Sequence, residues 1–572
     1  MIFRYQARRN AVKLEGERSA ALDLARGRVV LLSAFFVFVY IMLLARAFDL
    51  GVIQANSSPS APDPETHQSA QAPVPALKMR GDIMDRNGVL LATTLKSTAL
   101  YADPRRISDP KSTAQQLAAI FPDLPYGETL QKLQSGKRFV WIKRSITPRE
   151  QAAVLKIGQP GLAFQSETKR FYPQGHLAAH LTGYVDIDSE GLAGTERSFN
   201  AYLDRGQDLT LTLDIRLQHS LRRALQSAVQ DYSALGGVGV IMDAATGEVL
   251  AGVSLPDFDP YSPGNAKPEQ VFNRLTLGAY ELGSVFKIFS TAAFLETHDV
   301  PMSTSFDATR PLQEGRFVIH DYHAQKRRLT IPEIFMHSSN IGSALMGQAV
   351  GGESLRNFYK DLGLLSPLDF EIREVARPLV PDPWRDINTL TAAYGHGIAT
   401  TPLQVAAGVA SIVNGGLLVR PTLVLSDKKE SAEPSVRIVS APTAQRLRQL
   451  MRLVVTDGTG MNADVPGFRV GGKTGTAEKI GPHGYDQNRL ISSFIGAFPM
   501  DNPRYVVFIA VDEPKGTKKS FGYATGGWVA APAVAQVIVS MVSILGLPAQ
   551  DVADGGDLAS PLRKYVSLKA QE

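Results

Sequence analysis

The chain has 572 residues, of which 44% are hydrophobic and 20% are charged, and it contains no cysteine. This length favours two or more domains, each with its own hydrophobic core. The lack of cysteine excludes disulfide bonds, thiolate metal sites and a cysteine nucleophile, and it is compatible with an oxidising compartment.

The positive charge of the chain is concentrated at its N-terminus. The formal net charge is +5. Residues 1–28 contain seven basic and three acidic side chains, a net +4, which leaves +1 for residues 29–572. A nucleic-acid-binding protein normally keeps its basic excess on a folded domain. We therefore predict that nucleic acid is not a partner.

Residues 29–45 form an uncharged, apolar run of 17 residues, which is near the lower limit for a membrane-spanning helix. The basic segment before this run predicts a cytoplasmic N-terminus, with the rest of the chain across the membrane. We predict a cytoplasmic tail over residues 1–28 and one helical anchor in the lipid bilayer over residues 29–50. The alternative is a signal peptide cleaved near Ala45-Arg46-Ala47.

The next two segments are predicted to be a tether and a first folded domain. Residues 51–77 are rich in Pro, Ser and Ala, a composition typical of an extended tether. Residues 78–213 are predicted to fold, with a hairpin turn at Asn87-Gly88 and a strand over residues 209–214. No pattern in this domain indicates chemistry. We interpret it as a pedestal that carries docking surfaces.

Residues 214–550 have the pattern of an α/β domain. Strands near the start and near the end of this segment, with helical sequence between them, predict one sheet closed by distant parts of the chain. The apolar residues 528–545 are interpreted as a core helix and not as a second membrane span. Residues 551–572 are predicted to be a C-terminal tail. The main predicted elements are a helix at 215–232 and strands at 238–242, 248–253, 491–498 and 505–512.

The first chemical motif is Ser284-Val285-Phe286-Lys287. Residues three apart share one face of a helix, so the hydroxyl and the amine are expected to lie together. Gly283 allows a sharp entry into that helix. The lysine can act as a base only if its pKa is lowered enough for the neutral amine to be populated. Taken alone, this motif is weak evidence, because an N-cap serine and a solvated lysine also fit it.

Two further motifs follow in order. In Ser338-Ser339-Asn340, the hydroxyl of Ser338 can relay a proton and the amide of Asn340 can hold a substrate carbonyl. In Lys473-Thr474-Gly475-Thr476, the glycine allows a ligand to approach the backbone closely. The set Ser-x-x-Lys, Ser-x-Asn, Lys-Thr-Gly is the one found in penicillin-binding proteins and class A β-lactamases.

The third motif has an alternative interpretation as a phosphate-binding loop. Residues 467–474 match the pattern G-x-x-x-x-G-K-[ST] formally. However, Phe468, Arg469 and Val470 would fill the space that should hold phosphate, and we expect them to form a strand. No helical pattern follows Thr474, so we disfavour nucleotide binding.

Beyond these motifs, the sequence resembles the class B penicillin-binding proteins over nearly its whole length. It is most similar to their division-specific, septal branch, on the segments after the third motif, residues 494–505 and 523–532. Departures are Leu282 and Glu478, where the family usually has Pro and Gln, and the long tether. Further family landmarks are RGDIMDRNG (80–88), RFYPQGH (170–176), GTERSF (194–199), YGHG (394–397), TPLQ (401–404) and NGG (414–416).

The resemblance implies the fold and the location of the protein. The fold would be a β-lactamase-like serine transpeptidase domain with a helical subdomain, preceded by an α+β, dimerisation-like pedestal and the membrane helix. The protein would be anchored once in the inner membrane, with its catalytic domain in the periplasm at the division septum. The elongation-type transpeptidase of the same class is the alternative.

The resemblance also implies roles for the motif residues. Ser284 would attack the penultimate D-alanine carbonyl of a peptidoglycan stem peptide, and Lys287 would take its proton. Ser338 would relay a proton to the leaving D-alanine, while Asn340 positions the substrate. Lys473 would bind the substrate carboxylate. Substrate binding would be shared by Thr474, Gly475 and Thr476, and the backbone N–H groups of Ser284 and Thr476 would stabilise the oxyanion.

An amine from a second stem peptide would then resolve the acyl-enzyme, and no metal or cofactor is expected. β-Lactam antibiotics are predicted to acylate the same serine. The predicted partners are the septal glycosyltransferase and other divisome membrane proteins. A β-lactamase, which needs a base that activates water, and a non-catalytic divisome scaffold or β-lactam sensor are the rival functions.

Overall fold

The structure, a computed structural model, describes residues 34–42, 44, 79–426, 436–481, 484–549 and 556–567. Residues 1–75 and 76–572 form two compact units. In the first unit, residues 34–42 and 44 are helical, and their side chains are exposed except for that of Val39, which is half-buried. The remainder of the predicted tail, anchor and tether lies outside the described residues.

The first domain of the larger unit is organised around one long strand, β2 (Leu90–Ala102), which pairs antiparallel with β1 (Ile83–Met84). The turn between them contains Asn87 and Gly88, and Gly88 has φ +79°. The Asp85 carboxylate accepts the N–H groups of Asn87 and Val89 at 2.8 and 2.9 Å. The predicted hairpin is therefore confirmed.

The other elements of this domain complete a five-stranded sheet and cover it. Strands β3 and β4 pair with β2, and β5 pairs with β1 in parallel. Leu100, Leu117, Phe121 and Ile142 form part of a separate small core. The strands are β3 (Val140–Ile146), β4 (Leu162–Phe171) and β5 (Leu209–Thr210), and the helices are α1 (Pro110–Ile120), α2 (Tyr126–Leu133), α3 (Pro148–Leu155), α4 (Ala179–Thr182), α5 (Gly194–Ser198) and α6 (Asn200–Leu203).

The second domain contains one antiparallel five-stranded sheet of order β12-β13-β14-β6-β7. Strand β14, near the end of the chain, pairs with β6 from residue Tyr505 opposite Asp243 to Asp512 opposite Gly236. The prediction that distant segments close one sheet is thus confirmed. The strands are β6 (Gly236–Asp243), β7 (Val249–Leu255), β12 (Gly471–Gly481), β13 (Gly484–Phe498) and β14 (Tyr505–Asp512).

Two helices cover one face of this sheet, α7 (Ile215–Asp231) and the apolar α16 (Gly526–Leu545). Among the described residues, α16 is the helix that is long and apolar enough to cross a membrane. Its side chains Val534, Val537 and Ile538 are nevertheless fully buried against the sheet. The interpretation of this segment as a core helix is confirmed.

The helical insertion lies between β7 and β12 and forms a large core with the other face of the sheet. Four short strands pair within it, β9 with β10 and β8 with β11. These strands are β8 (Ser305–Asp307), β9 (Leu312–Glu314), β10 (Phe317–Ile319) and β11 (Arg328–Thr330), and the helices are α8 (Pro268–Val271), α9 (Lys287–Thr297), α10 (Ile331–Met336), α11 (Asn340–Val350), α12 (Gly352–Asp361), α13 (Asp386–Ala392), α14 (Pro402–Val413) and α15 (Ala441–Asp457).

The predicted C-terminal tail is described over residues 556–567, which contain α17 (Ser560–Arg563). Ala559 and Leu562 are buried in the large core. The backbone N–H of Ser567 donates to the Glu333 carboxylate at 2.9 Å. This segment therefore packs on α10, the helix that leads into the second sequence motif.

The strand predicted over residues 209–214 is confirmed over its first part, because Leu209–Thr210 pair with β1 and Leu211 forms an antiparallel β-bridge with Val424. It is wrong for residues 212–214, which belong to no strand. The hydroxyl of Thr212 donates to the carbonyl of Val249 at 2.8 Å, and the Asp214 carboxylate caps α7. The backbone N–H of Thr212 still donates to the carbonyl of Leu423, and the cap at Asp214 then starts α7. The alternating leucines remain buried.

A buried ion network joins three of the family landmarks in the first domain. The Glu196 carboxylate accepts the Nε–H of Arg80 at 2.8 Å and that of Arg170 at 2.7 Å. Glu196 is fully buried, and both arginines are at most 4% exposed. Since removal of one member leaves buried charge without compensation, the network holds the domain together.

We therefore expect Glu196→Ala to lower the free energy of unfolding by about 3–5 kcal/mol, because two buried guanidinium groups lose their counterion. Thermal denaturation measures this loss. The control is Asp188→Ala, which removes a carboxylate that is 77% exposed and pairs with Arg144; its effect should stay within about 1 kcal/mol. A Glu196→Ala protein that folds normally but no longer reacts with penicillin would refute this structural role.

Candidate active site

Ser284 lies at a turn that aligns it with Lys287. Residues Gly283–Phe286 form a 3₁₀ turn, and α9 begins at Lys287. The expectation that both residues share one face of a single helix is corrected, because Ser284 lies in the 3₁₀ turn and Lys287 is the first residue of α9. Side chains three residues apart eclipse one another in a 3₁₀ turn, which brings the hydroxyl and the amine to the same side. Gly283 makes the entry possible, because its φ is +55°.

The amine of Lys287 is buried and surrounded by acceptors. Its Nζ donates to Ser338 Oγ at 3.0 Å, to Asn340 Oδ1 at 2.8 Å and to the backbone carbonyl of Ser338. Burial and the nearby positive charge of Lys473 lower the pKa of Lys287 well below its usual value, although Asp321 opposes this. The three acceptors suit the protonated amine, but the lowered pKa makes the neutral amine that a general base requires easier to reach than for a lysine in water.

Ser338 connects the two lysines. Lys473 Nζ also donates to Ser338 Oγ at 3.0 Å, so one hydroxyl oxygen is shared by two amines. Ser338 lies between α10 and α11 with φ +59°, an uncommon backbone conformation for a residue with a side chain. This strain is maintained by the surrounding contacts and aims the hydroxyl between the amines.

The loop that carries Ser338 is fixed by Asp321. The Asp321 carboxylate accepts the hydroxyl of Ser339 at 2.7 Å and the N–H of Ile341 at 3.0 Å. The amide of Asn340 donates to the carbonyl of His320 at 2.9 Å, which leaves its oxygen directed at Lys287. The start of α11 is thus held by residues 320 and 321, and both motif side chains have defined orientations.

Lys473 lies on strand β12, and its side chain is fully buried. Burial lowers its pKa to about 7. The amine lies 5.9 Å from the ring centroid of Phe335, close enough for a cation–π interaction. Near neutral pH, Lys473 is therefore present in both its protonated and its neutral form.

The rest of the third motif lies on the edge of the sheet, since β12 is the terminal strand in the described part of the chain. The hydroxyls of Thr474 and Thr459 lie 2.7 Å apart, and Thr476 Oγ1 accepts the N–H of Gly526 at 3.1 Å. A Cβ atom on Gly475 would lie 2.6 Å from the carbonyl of Leu282. Glycine thus allows β12 to pack directly against Leu282, the residue that precedes the turn of residues 283–286, which we call the nucleophile turn.

The phosphate-loop interpretation of residues 467–474 fails, because Lys473 and Thr474 lie within a strand and not at the start of a helix. Our expectation for residues 468–470 was also wrong. They lie in a turn and a loop before β12. Arg469 has φ +41° and its guanidinium pairs with Asp501 at 2.7 Å, so the turn is stabilised by an ion pair.

Comparison with known proteins matches both domains. Residues 237–538 match the penicillin-binding protein transpeptidase domain family, and residues 75–208 match the penicillin-binding protein dimerisation domain family. A probable peptidoglycan D,D-transpeptidase FtsI from Caulobacter vibrioides is 40% identical, and the match covers 82% of each chain.

The chain belongs to the class B penicillin-binding proteins. The peptidoglycan D,D-transpeptidase FtsI of Escherichia coli is 28% identical, over 83% of this chain and 85% of that protein. A crystal structure of penicillin-binding protein 3 from Mycobacterium tuberculosis, complexed with ampicillin, superposes with a TM-score of 0.68. It is 27% identical, and the match covers 84% of this chain and 98% of that one.

These matches confirm the predicted fold class, including the dimerisation-like first domain. The domain boundaries at residues 78, 213 and 550 stay predictions. All eight motif residues named from the sequence lie within the range that matches the transpeptidase domain family, on the turn of Ser284, at the start of α9, around the start of α11 or on strand β12.

Several residues that contact or adjoin the motif residues could not be identified from the sequence. Asp321 and Thr459 belong to no motif, and no local pattern indicated them. Glu281, His396 and Tyr485 also meet beside the nucleophile turn: the Tyr485 hydroxyl contacts the Glu281 carboxylate, and its ring stacks on His396. Of these residues, His396 alone lies within one of the family landmarks, residues 394–397, and the sequence indicates no role for that landmark.

Proposed function

We propose that this protein is a peptidoglycan D,D-transpeptidase that cross-links stem peptides through an acyl-enzyme on Ser284. The observation that carries this proposal is the pair of buried amines, Lys287 and Lys473, that share the Ser338 hydroxyl, with Lys287 one turn after Ser284. Relatives that match more than four fifths of the chain carry the name peptidoglycan D,D-transpeptidase, which supports the same reaction.

Acylation begins when Ser284 Oγ attacks the penultimate D-alanine carbonyl of the donor stem peptide. The hydroxyl proton passes to the neutral amine of Lys287, which Ser338 and Asn340 hold in place. Backbone N–H groups of Ser284 and Thr476 stabilise the oxyanion that forms, an effect often worth about 3 kcal/mol. The C–N bond then breaks, and the leaving D-alanine amine receives a proton through the Ser338 hydroxyl.

The substrate carboxylate is bound by the third motif. Lys473 supplies a positive charge near neutral pH, and Thr474 supplies a hydroxyl. The backbone of Gly475 and Thr476 lies on an open strand edge, which an extended peptide can join by main-chain hydrogen bonds. This places the scissile bond between β12 and the nucleophile turn.

The acyl-enzyme is resolved by the amine of a second stem peptide. That amine attacks the ester carbonyl, Lys287 takes the proton that the amine loses, and Ser284 leaves as its hydroxyl. A β-lactam forms the same ester bond by opening its ring, but the amine that leaves stays attached to the acyl group. Relatives of this fold have been solved in complex with aztreonam and with ampicillin.

We expect one benzylpenicillin molecule to become covalently attached to Ser284, which adds its full mass to the protein. Ser284→Ala should abolish this adduct. Lys287→Arg should slow labelling by at least about 100-fold, because the guanidinium stays protonated and cannot accept the hydroxyl proton. Intact-mass and peptide mass spectrometry measure both effects. The control is Lys360→Arg, an exposed lysine on α12, which should label like the wild type.

Three results would contradict the proposal. An adduct on another residue would identify a different nucleophile. Rapid loss of the adduct with release of hydrolysed penicillin would indicate a β-lactamase. A protein that forms the stable adduct but does not cross-link stem peptides in vitro would be a β-lactam sensor or a scaffold.

We also propose a membrane anchor at the N-terminus and a septal role. The described helical residues 34–42 expose Phe35, Phe36 and Phe38 by more than half of their surface, which suits lipid better than water. The basic tail before them favours a cytoplasmic N-terminus. The FtsI relatives support the septal branch, in which the glycosyltransferase and other divisome membrane proteins are partners.

An N-terminal fluorescent fusion should therefore form a band at midcell in dividing cells, because the partners concentrate there. The same fusion without residues 29–45 should lose its membrane localisation, since the apolar segment is removed. Fluorescence microscopy of both fusions measures this. An even signal along the side wall would favour the elongation-type alternative, and a membrane signal that survives the deletion would contradict the anchor.

A further inference from the structure

A segment near the end of the chain contacts the helix that leads into the second sequence motif. The hydroxyl of Thr330, the N-cap residue of α10, donates to the backbone carbonyl of Tyr565 at 2.8 Å. The carboxylate of Glu333, on α10, accepts the backbone N–H of Ser567 at 2.9 Å. Both contacts come from residues 556–567, which we call the brace. The brace therefore holds the first turn of α10.

The carboxylate that the brace contacts is a buried charge. The side chain of Glu333 is 2% exposed, pairs with Arg327 at 2.9 Å and accepts the N–H of Thr330 at 2.9 Å. Burial by itself raises the pKa of this carboxyl, but the guanidinium of Arg327 and the N–H groups of Ser567 and Thr330 lower the pKa to about 2. Ser567 thus supplies one of the donors that stabilise a buried carboxylate, and its loss leaves that carboxylate less well satisfied.

Helix α10 connects the brace to the active site. It has six residues, all of them buried, and a helix of this length depends on its tertiary contacts. The ring of Phe335, on α10, lies 5.9 Å from Lys473 Nζ. Directly after the helix, the N–H of Ser339 donates to the carbonyl of Ile334 at 2.9 Å, and Ser338 has φ +59°. The position of Ser338 therefore follows that of α10.

The brace is also attached to helix α15. The guanidinium of Arg563 donates to Asp457, the last residue of α15, at 3.1 Å and to Asp557 at 2.6 Å. Asp557 in turn accepts the Nε–H of Arg452, on α15, at 3.3 Å. Leu562 is buried in the large core between these contacts. Ion pairs and an apolar anchor therefore hold the brace against the second helix.

Arg452 connects the brace to the strand of the third motif. Its Nη1 donates to the carbonyl of Val470 at 2.7 Å and to Asp464 at 2.7 Å. Val470 directly precedes β12 and lies three residues before Lys473. One arginine thus contacts both the brace and the start of the strand that carries Lys473. The brace is therefore linked to the supports of both partners in the hydrogen bond between Lys473 and Ser338.

We propose that the brace fixes the position of Ser338 relative to Lys473, and that Arg563 and Ser567 are its positioning residues. This inference rests on the proposed function, which gives Ser338 and Lys473 their roles. The contact that the brace controls is the 3.0 Å hydrogen bond from Lys473 Nζ to Ser338 Oγ, the same oxygen that Lys287 contacts. A displacement of about 1 Å caused by a remote change can slow a reaction about 100-fold, so loosening the brace slows acylation while every reacting group stays in place.

The test breaks the brace at two contacts in the full-length chain. The double variant Arg563→Ala, Ser567→Pro loses the guanidinium that binds α15 and the N–H that binds α10. The rate of Ser284 acylation by benzylpenicillin should fall about tenfold, while the fraction of protein that is finally labelled stays the same. The control is Lys564→Ala, Ser567→Ala, which changes an exposed lysine of the same segment and keeps the N–H of residue 567; it should label like the wild type.

The pH dependence of the rate separates positioning from folding. The ionisable groups that face Lys287 are Lys473, Asp321 and His396. Burial and the charge of Lys287 lower the pKa of His396 to about 4, so its ring is neutral near pH 7. The charge of Lys473 lowers the pKa of Lys287. A loosened brace weakens this effect, so the rate of the double variant should rise at higher pH than that of the wild type. In a Lys473→Met chain the same two substitutions should cause no further shift, because the charge is already absent.

Three results would overturn the proposal. An unchanged rate with full labelling would mean that the brace does not influence the site. A smaller labelled fraction with an unchanged rate and pH dependence would mean that the brace acts on folding alone. A slower rate without a shift in pH dependence would mean that the loss does not pass through Lys473.

If the double variant does not fold, Ser567→Pro against Ser567→Ala gives the same comparison, with an expected loss in rate of about threefold from one hydrogen bond. An equal rate in these two single variants would overturn the proposal. Failure of the proposed function is visible separately, because the wild-type protein would then form no adduct at Ser284.

Discussion

Two lysine amines share one hydroxyl oxygen in this protein, and the rest of the active site depends on that contact. Lys287 and Lys473 each lie 3.0 Å from Ser338 Oγ, and both side chains are fully buried. Burial penalises a charged amine, and a second charge nearby penalises it further. The site can hold both amines only if at least one is neutral much of the time, which is the condition for a lysine to act as a base.

The fold keeps this unfavourable arrangement in place. Lys287 starts a buried helix, Lys473 lies on an edge strand, and Ser338 lies in a strained turn between two helices that Asp321 holds. The sheet joins segments more than 200 residues apart, and both of its faces are covered by large cores. The close-packed interior does not rearrange to relieve the buried charge. The stability of the rest of the fold therefore offsets the unfavourable free energy of burying the two amines.

The sequence predicted which motif side chains come together better than it predicted the residues that support them. Motif order identified Ser284, Lys287, Ser338, Asn340 and Lys473, because their chemistry requires particular residue types at short spacing. Asp321, Glu281 and Tyr485 were missed, because their contacts join distant segments and leave no local pattern. The strand predictions at residues 212–214 and 468–470 failed where a side-chain hydrogen bond, a helix cap or an ion pair stabilised another conformation.

The most direct test of this account is the rate of Ser284 acylation by benzylpenicillin as a function of pH, in the wild type and in Lys473→Met. The wild-type rate should rise with pH as Lys287 loses its proton and level off far below pH 10.5, the ordinary value for lysine. Removing the Lys473 charge should shift this rise to higher pH, because that charge lowers the pKa of Lys287. A wild-type rate that rises only near pH 10, or a rise that does not move in the variant, would contradict the account.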